Sequence, residues 1–306
     1  MVIPCHDSTR TIGLQLHALA QQSDAPKFEV VLVDNRSSDD LTTAAQPWRD
    51  GLDVRVVVAD GLANPGYARN VGVAHARADV VAFCDSDDYV SQQWVRATAN
   101  AAEQTPVANG GATPVPDAEF SRGTAHLDDL LRAEADGGGL EVPEAPVDYP
   151  ILLGGSCVMR REAYLSVGGY DVSVPYGVED NDLALRLQDA GHVIARAYAM
   201  NLAYRIRPEA DQPLSRSFRS GYLHMLLAHR HALFGRSPSL PTRWYLGLAR
   251  CAVAAARMLV RPSSRDWRSL GQRAALQTGL VVGHLRFGVF GTPPDPRLGV
   301  GLEGAR

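Results

Sequence analysis

Val80-Val81-Ala82-Phe83-Cys84-Asp85-Ser86-Asp87-Asp88 is the stretch whose reading decides the fold. Its Val- and Phe-rich apolar run reads as a strand buried on both faces, and it stops at three carboxylates within four positions. Carboxylates are almost never fully buried unpaired, so Asp85, Asp87 and Asp88 are predicted where the strand leaves the core. In an open α/β sheet that is the end at which ligands bind. Clustered like charge is commonly relieved by a hard divalent cation. Mg²⁺ in particular is often held by one or two carboxylates together with substrate phosphates. A metal–diphosphate site is therefore one reading of the stretch. A solvated acidic turn is the other, since Asp-Ser-Asp-Asp is also good turn and N-cap chemistry.

Working outward, strands and helices alternate. Val2-Ile3 leads through Pro4-Cys5-His6-Asp7-Ser8 into a helical pattern from Thr11 to Ala20. Glu29–Asp34 reads as a second buried strand, followed by a turn at Asn35–Asp40 and a helix. Val54–Val58 is a third strand, Asn64-Pro65-Gly66 a turn, and Tyr67–Ala78 a helix that returns to Val80. Such alternation implies a parallel sheet. Asp7, Asp34, Asp85 and Asp87 each follow a strand, so one rim of the sheet should collect them. Trp94–Gln104 reads as a further helix. Residues 106–150, rich in Pro, Gly and acid, read as surface loop with a short helix over 128–135. Ile151–Arg160 regains strand character, and its Gly154-Gly155 pair implies close backbone approach to another group. Glu179, Asp180 and Asp182 open the next helix. The helix dipole favours acids there, yet three acids on one turn exceed what capping requires.

The chain has 306 residues, with 45% hydrophobic and 21% charged content, room for one large or two modest domains with a real core. The net charge of -4 conceals a split. Residues 1–200 carry 14 Lys and Arg against 29 Asp and Glu, and residues 201–306 carry 16 against 5. Such a split points to two parts with different partners. Cys5, Cys84, Cys157 and Cys251 lack metal-ligand spacing and read as core residues. No signal-peptide pattern and no apolar run of about 18 residues occurs, so a cytoplasmic location is expected.

Beyond residue 200 the character becomes helical and basic. A helix over 217–234 carries His224, His229 and His231 at a spacing poor for one metal-binding face. Arg243, Arg250 and Arg257 recur every seven residues with Arg261 one turn on, and the other faces are apolar. That is a basic amphipathic helix suited to an anionic membrane surface, here the inner face of the cell membrane. A second apolar stretch runs over 274–290, and packing of the two helices on protein is the alternative. The tail over 291–306, with Pro293, Pro294 and Pro296, is expected to be disordered. Nucleic-acid binding is disfavoured because aromatic interleaving is sparse. Oligomeric state is not legible.

In order and spacing, these stretches together resemble the family 2 glycosyltransferases. The matching segments are Val2–Asp7, Glu29–Asp40, Ala68-Arg69-Asn70-x-Gly72 with Ala82–Asp88, Gly168-Gly169-Tyr170-Asp171, and Glu179-Asp180-x-Asp182-Leu183-x-x-Arg186-Leu187. The match covers about residues 1–205. The resemblance implies a GT-A fold, α/β with a mostly parallel twisted sheet flanked by helices, and the pattern beyond it adds a helical extension over 206–290. It implies an inverting, metal-dependent transfer from a nucleotide-diphosphate sugar to a glycan, lipid-linked or other hydroxyl acceptor, with Mn²⁺ or Mg²⁺ as cofactor, in the synthesis of cell-surface polysaccharide, glycolipid or other glycoconjugates. By position it implies Asp180 as catalytic base with Glu179 orienting it or the acceptor. Pro4, His6, Asp7, Asp34, Asn35, Arg69, Asp85 and Ser86 are implied at the nucleotide sugar, and Asp85 and Asp87 at the metal. Asn35 stands where many relatives have Asp, leaving uridine, thymidine and guanosine donors open. Residues 200–205 lack the His that some relatives use as a further metal ligand, which implies either weaker metal binding or a shell completed by water and phosphate.

The chemistry is consistent with those positions. A departing diphosphate needs its charge neutralised, the anomeric carbon becomes oxocarbenium-like, and the weakly nucleophilic hydroxyl needs a base. A sugar nucleotidyltransferase would want an early Gly-rich phosphate loop, but residues 1–15 contain only Gly13. A catalytically silent binding protein of the same fold is disfavoured by the joint presence of Asp85, Asp87 and Asp180. No G-x-G-x-x-G follows the first strand, which speaks against a dinucleotide oxidoreductase.

Overall fold

The computed structural model describes residues 1–133, 138–206, 213–260 and 266–305. The chain divides into one unit of Met1–Pro208 with Pro296–Arg306 and a second of Glu209–Asp295.

In the first unit the strands are β1 (Val2–Cys5), β2 (Glu29–Asp34), β3 (Asp53–Val58), β4 (Val80–Cys84), β5 (Tyr89–Val90), β6 (Val107–Gly110), β7 (Thr113–Pro116), β8 (Leu140–Glu141), β9 (Ser156–Arg160), β10 (Ala195–Ala197) and β11 (Leu202–Ile206). The helices are α1 (Ile12–Ala20), α2 (Leu41–Ala45), α3 (Pro65–His75), α4 (Trp94–Gln104), α5 (Asp117–Phe120), α6 (Thr124–Ala133), α7 (Arg161–Ser166) and α8 (Glu179–Asp189). An eight-stranded sheet runs β3-β2-β1-β4-β9-β6-β10-β8, and a three-stranded one β5-β11-β7. β3, β2, β1 and β4 are mutually parallel, whereas β9 is antiparallel to both β4 and β6. This is the mostly parallel α/β sheet that the apolar runs imply.

The period-2 alternation of the central strands feeds two cores. Ile3, Val30, Leu32 and Ala82 pack on one face with Leu16, Tyr89 and Trp94. Val2, Val31, Val33 and Phe83 pack on the other with Tyr164, Tyr170 and Leu183. Burial on both faces is why β2 and β4 are uninterrupted apolar runs rather than alternating ones. α3 starts on the Asn64 cap, whose side chain accepts from Tyr67 N–H, with Pro65 in the first turn. Asn-Pro-Gly is thus a helix start as well as a turn.

Two expectations are overturned. Residues 106–150 are not a plain loop: β6 lies inside the main sheet between β9 and β10, and β7, α5 and α6 follow. β6 is Val-Ala-Asn-Gly, too short and too small for its apolar pattern to stand out. Residues 134–135, the end of the expected 128–135 helix, lie outside the described residues. The second correction concerns the tail. Residues 296–305 are not a disordered extension but pack within the first unit: Leu302 lies against the Tyr164–Tyr170 core and Val300 O accepts from Asn70 Nδ2. Most of these ties run through the backbone, which a composition rich in Pro and Gly conceals.

The second unit holds α9 (Leu214–Arg230), α10 (Gly247–Val260) and α11 (Trp267–His284), the last continuing into a π-helical stretch over Leu285–Val289. Its histidines are used in packing. His224 Nε2 bonds the Ser237 hydroxyl at 2.7 Å, and His229 Nε2 bonds His284 Nδ1 at 3.0 Å. Burial pushes His224 down to about 4, so it is neutral. Arg261 lies outside the described residues. Among those described, no helix is long and apolar enough to cross a membrane.

Candidate active site

The carboxyl ends of β1, β2 and β4 release three loops that fasten one another. Asp7, at φ 49°, accepts from Ser38 N–H at 2.6 Å and from its hydroxyl at 2.9 Å; these bonds hold its carboxyl below the usual range. Asp39 Oδ2 accepts from Thr9 N–H. Ser8 and Ser86 share a hydroxyl–hydroxyl bond of 2.9 Å, joining the β1 loop to the carboxylate turn after β4. His6 is exposed and its Nδ1 bonds Asn35 O at 3.0 Å. Pro4 is half-buried within β1. Asp34 Oδ1 accepts from Ser37 N–H, which folds the turn after β2.

Asn35 departs from the expectation that it meets the donor. Its amide donates to Ala59 O and Leu62 O, and its Oδ1 accepts from Asn64 N–H at 3.0 Å. The side chain is spent on the β3–α3 loop, and an Asp there could not make the two donations.

Arg69, brought in by α3, gathers the distant acids. Its guanidinium is 5% exposed and donates to Asp85 Oδ1 at 2.9 Å, with Glu179 Oε1 and Asp180 Oδ1 each 3.8 Å away. It lies 5.2 Å from the Tyr170 ring centre. The Tyr170 hydroxyl donates to Asp180 Oδ1 at 2.8 Å. Residues from the eighties and from around 180 thus share one cation.

The Gly154-Gly155 pair is what admits them. In the β4–β9 register Cys84 faces Ser156, so Asp85 falls opposite Gly155. A Cβ at Gly155 would lie 2.6 Å from Asp85 Oδ2, and one at Gly154 would lie 2.2 Å from Asp180 Oδ1. The close approach implied by the sequence is the seating of two carboxylates on bare backbone.

The acids at the start of α8 divide the work. Asp182 is fully buried and accepts from Arg186 Nε at 2.8 Å, an i, i+4 pair inside the core. Glu179 accepts from Gly177 N–H beneath the site. Asp180 keeps 28% of its side chain exposed and is the one that a second molecule can reach. Burial, against the Arg69 charge and the Tyr170 hydrogen bond, raises the Asp180 carboxyl above the usual range. Burial and the neighbouring Asp180 raise Glu179.

On the carboxylate turn, Asp87 is half-buried and its carbonyl accepts from Arg205 Nε at 2.7 Å. Asp88 is 2% exposed and accepts from Arg205 N–H through Oδ1. Burial and the Asp85 charge push Asp88 up to about 8. Asp88 Oδ2 is buried without a hydrogen-bond partner. Asp85 and Asp87, two partly exposed carboxylates, are hard oxygen donors of the kind a divalent cation takes. Among the described residues no group of three His, Cys, Asp or Glu is placed to hold a metal ion, so a cation on these two would need oxygens from outside the protein. A cavity of about 720 Å³ opens at the other end of the strands, beside Met1, Glu29 and Asp79, and is lined by none of these site residues.

Tyr170, Ser8 and the Gly154-Gly155 seat are site elements that were not assigned from sequence. Gly168-Gly169-Tyr170-Asp171 was the available signal for the first. Nothing local marked Ser8, whose partner is 78 residues away.

Known proteins resemble this chain in sequence and in fold. The model of the family described as "Glycosyl transferase family 2" matches residues 1–168, more than half of the chain, and one described as "N-terminal domain of galactosyltransferase" matches residues 139–207. The chain is 34% identical over 99 residues to the poly(ribitol-phosphate) β-N-acetylglucosaminyltransferase TarS of Staphylococcus aureus, over 31% of this chain and 17% of that protein. It is 31% identical over 99 residues to chondroitin synthase of Pasteurella multocida, over 31% and 10% respectively. The matched stretch is therefore less than a fifth of either relative. Among solved structures, a mannosyltransferase from Pyrobaculum calidifontis in complex with GDP-Man and Mn²⁺ superposes with a TM-score of 0.61 at 18% identity, covering 93% of this chain and 85% of that one. TarS 1–349 in complex with UDP gives 0.51 at 18% identity, covering 92% and 89%. These likenesses show a GT-A fold.

Proposed function

The chain belongs to glycosyl transferase family 2, and on that premise we propose that it transfers a sugar from a nucleoside-diphosphate donor to a hydroxyl acceptor with inversion at the anomeric carbon. The observation that carries this reading is the convergence of Asp85, Glu179 and Asp180 on the buried Arg69 guanidinium.

Asp180 is the base. It takes the acceptor proton as the hydroxyl oxygen attacks the anomeric carbon, while the bond from that carbon to the diphosphate breaks and its electron pair leaves with the phosphate. A single base facing the leaving group across the sugar gives inversion. The raised Asp180 carboxyl supports the role, because a base titrating closer to neutrality accepts a proton more readily. Arg69 keeps Asp85 and Asp180 close despite their like charge, and Glu179 holds the turn before α8 through Gly177. Asp85 and Asp87 would hold Mn²⁺ or Mg²⁺, which when bound neutralises charge on the departing diphosphate. Asp7, Asp34 and Ser86, with His6 and Pro4, line the donor side, and Asn35 serves that side indirectly by fixing the β3–α3 loop. TarS is named for transfer of N-acetylglucosamine to poly(ribitol phosphate), and chondroitin synthase for a polysaccharide; both names favour a glycan or other cell-surface polymer as acceptor.

The second unit is the membrane-facing part in this reading. Leu246, just before α10, and Arg250, Val253 and Arg257 on it are exposed at i, i+4, i+7 and i+11. An apolar face studded with arginine fits anionic lipid on the cytoplasmic side.

The test is a panel of uridine, thymidine and guanosine diphosphate sugars with Mn²⁺ or Mg²⁺, scored for slow donor hydrolysis. One donor should be turned over, chelation should abolish the rate, and Asp87→Ala should remove it while leaving the circular-dichroism spectrum intact. Full activity of Asp87→Ala contradicts the metal assignment. Formation of a nucleoside triphosphate and a sugar 1-phosphate when pyrophosphate is added, instead of a nucleoside diphosphate, indicates a nucleotidyltransferase.

A further inference from the structure

The Tyr170 hydroxyl reaches Asp180 only because the segment around it is held from several sides. Tyr170 N–H donates to Asn70 Oδ1 at 2.9 Å, and Asn70 Nδ2 donates back to Tyr170 O at 2.9 Å. The second hydrogen of that amide goes to Val300 O at 2.8 Å. The next residue, Asp171, is 1% exposed, and its Oδ1 accepts from Ser173 N–H at 2.8 Å and from Arg297 N–H at 2.9 Å. Gly299 N–H donates to Gly168 O at 2.9 Å, and Val172 N–H to Arg297 O at 3.3 Å. Residues 297–300 therefore bond both ends of the 168–172 segment. Gly301 closes the contact at φ +89°; a Cβ there would lie 3.0 Å from the Tyr67 ring and 3.2 Å from Asn70 Cβ. Leu302 adds apolar contact to the core that holds Phe83, Tyr164 and Tyr170.

We infer that residues 297–302 are a positioning strap for the base side of the site: they lock the 168–174 segment so that Tyr170 holds Asp180 in place. The inference rests on the glycosyl-transfer reading in one respect, that turnover depends on Asp180. The bonds that fasten the β1, β2 and β4 loops to one another run among residues 6–9, 35–39 and 86, and the β3–α3 loop behind them meets the segment through one long bond, Asn64 Nδ2 to Val174 O at 3.5 Å. Loosening the strap should therefore disturb the base and spare donor binding. Among the described residues the strap's hydrogen bonds to the segment use strap backbone atoms, so the path of the backbone, with glycine at the positive φ of positions 299 and 301, matters more than the strap's polar side chains.

The experiment uses the full chain carrying Gly301→Val, which combines backbone strain with a clash against Tyr67 and Asn70. Amide hydrogen exchange should rise in residues 168–174 and stay unchanged in the β1 and β2 loops. With the donor that the panel identifies, kcat should fall about 10- to 100-fold, the scale of a misplaced catalytic group, while donor KM stays within about twofold. Asp171→Ala, which removes the acceptor for Arg297 N–H, should act in the same direction. Asp171→Asn keeps an acceptor oxygen and should restore most of kcat. Three results overturn the inference: exchange that does not rise in either disruptive variant, exchange that rises with kcat unchanged, or an Asp171→Asn as impaired as Asp171→Ala. If the unaltered chain turns over no donor in the panel, the functional reading fails on its own, and the exchange measurements still decide the bracing.

Discussion

Asp88 is a buried acid with one oxygen on Arg205 N–H and the other without a partner. Its carboxyl is raised to about 8, so between the ordinary carboxylate range and pH 8 the folded chain keeps a proton that the unfolded chain releases. Stability from this group is therefore present at low pH and declines as pH rises through that window, by about 1.4 kcal/mol per pH unit at most. Asp88→Asn removes the titration and keeps an acceptor for Arg205 N–H. The variant should gain stability over the unaltered chain as pH goes from 5 to 8, read from urea midpoints at each pH. A gap that does not change with pH contradicts a raised Asp88. Arg69 shows how far residue-level reading reaches. The sequence motif brought it near the site, but that one guanidinium gathers three acids, two of them more than 100 positions away, could be seen only once α3 and α8 were in place.

At the scale of elements, β9 is shaped by what precedes it. Gly154 and Gly155 leave room for Asp180 and Asp85, and a methyl group at Gly154 would overlap Asp180 Oδ1. Gly154→Ala should therefore lower turnover by about 100-fold through displacement of the base, with a much smaller effect on thermal stability; near-normal turnover would show that Asp180 need not sit there. Of the strands that were legible, β1, β2 and β4 are covered on both faces, and burial on both sides writes itself as a continuous apolar run; β3, a half-exposed edge strand, was legible from its run of valines. β6 was missed although it is equally central, because Val-Ala-Asn-Gly offers two apolar residues and the segment after it is rich in Pro and Gly. The start of α8 was legible as an excess of acid. Its division into a core pair for Asp182, a loop contact for Glu179 and an open carboxyl for Asp180 was not, since it depends on where Arg186, Gly177 and Arg69 stand in space.

For the whole molecule, the charge split follows the division into two units: the acidic one carries the carboxylate site and the basic one the helices. The proposed binding of α10 to anionic lipid would give that split a purpose. Vesicles of phosphatidylglycerol should co-sediment the full chain and vesicles of phosphatidylcholine should not, and Arg250→Glu with Arg257→Glu should abolish binding while sparing donor hydrolysis. Equal binding by the double variant would assign α10 to packing instead. Residues 296–305 were expected to be free and are instead part of the first unit, because backbone hydrogen bonds to Gly168, Asn70 and Asp171 need no apolar signature. The central claim is that Asp180, held between Arg69 and Tyr170, is the base of an inverting sugar transfer. The most direct test is a proton NMR time course of donor hydrolysis by the unaltered chain and by Asp180→Asn, with the panel's best donor and Mg²⁺, which is diamagnetic. The account predicts that the first sugar signal to appear from the unaltered chain has the anomeric configuration opposite to the donor, and that Asp180→Asn gives none at a comparable rate. Retained configuration, or an Asp180→Asn as fast as the unaltered chain, would contradict it.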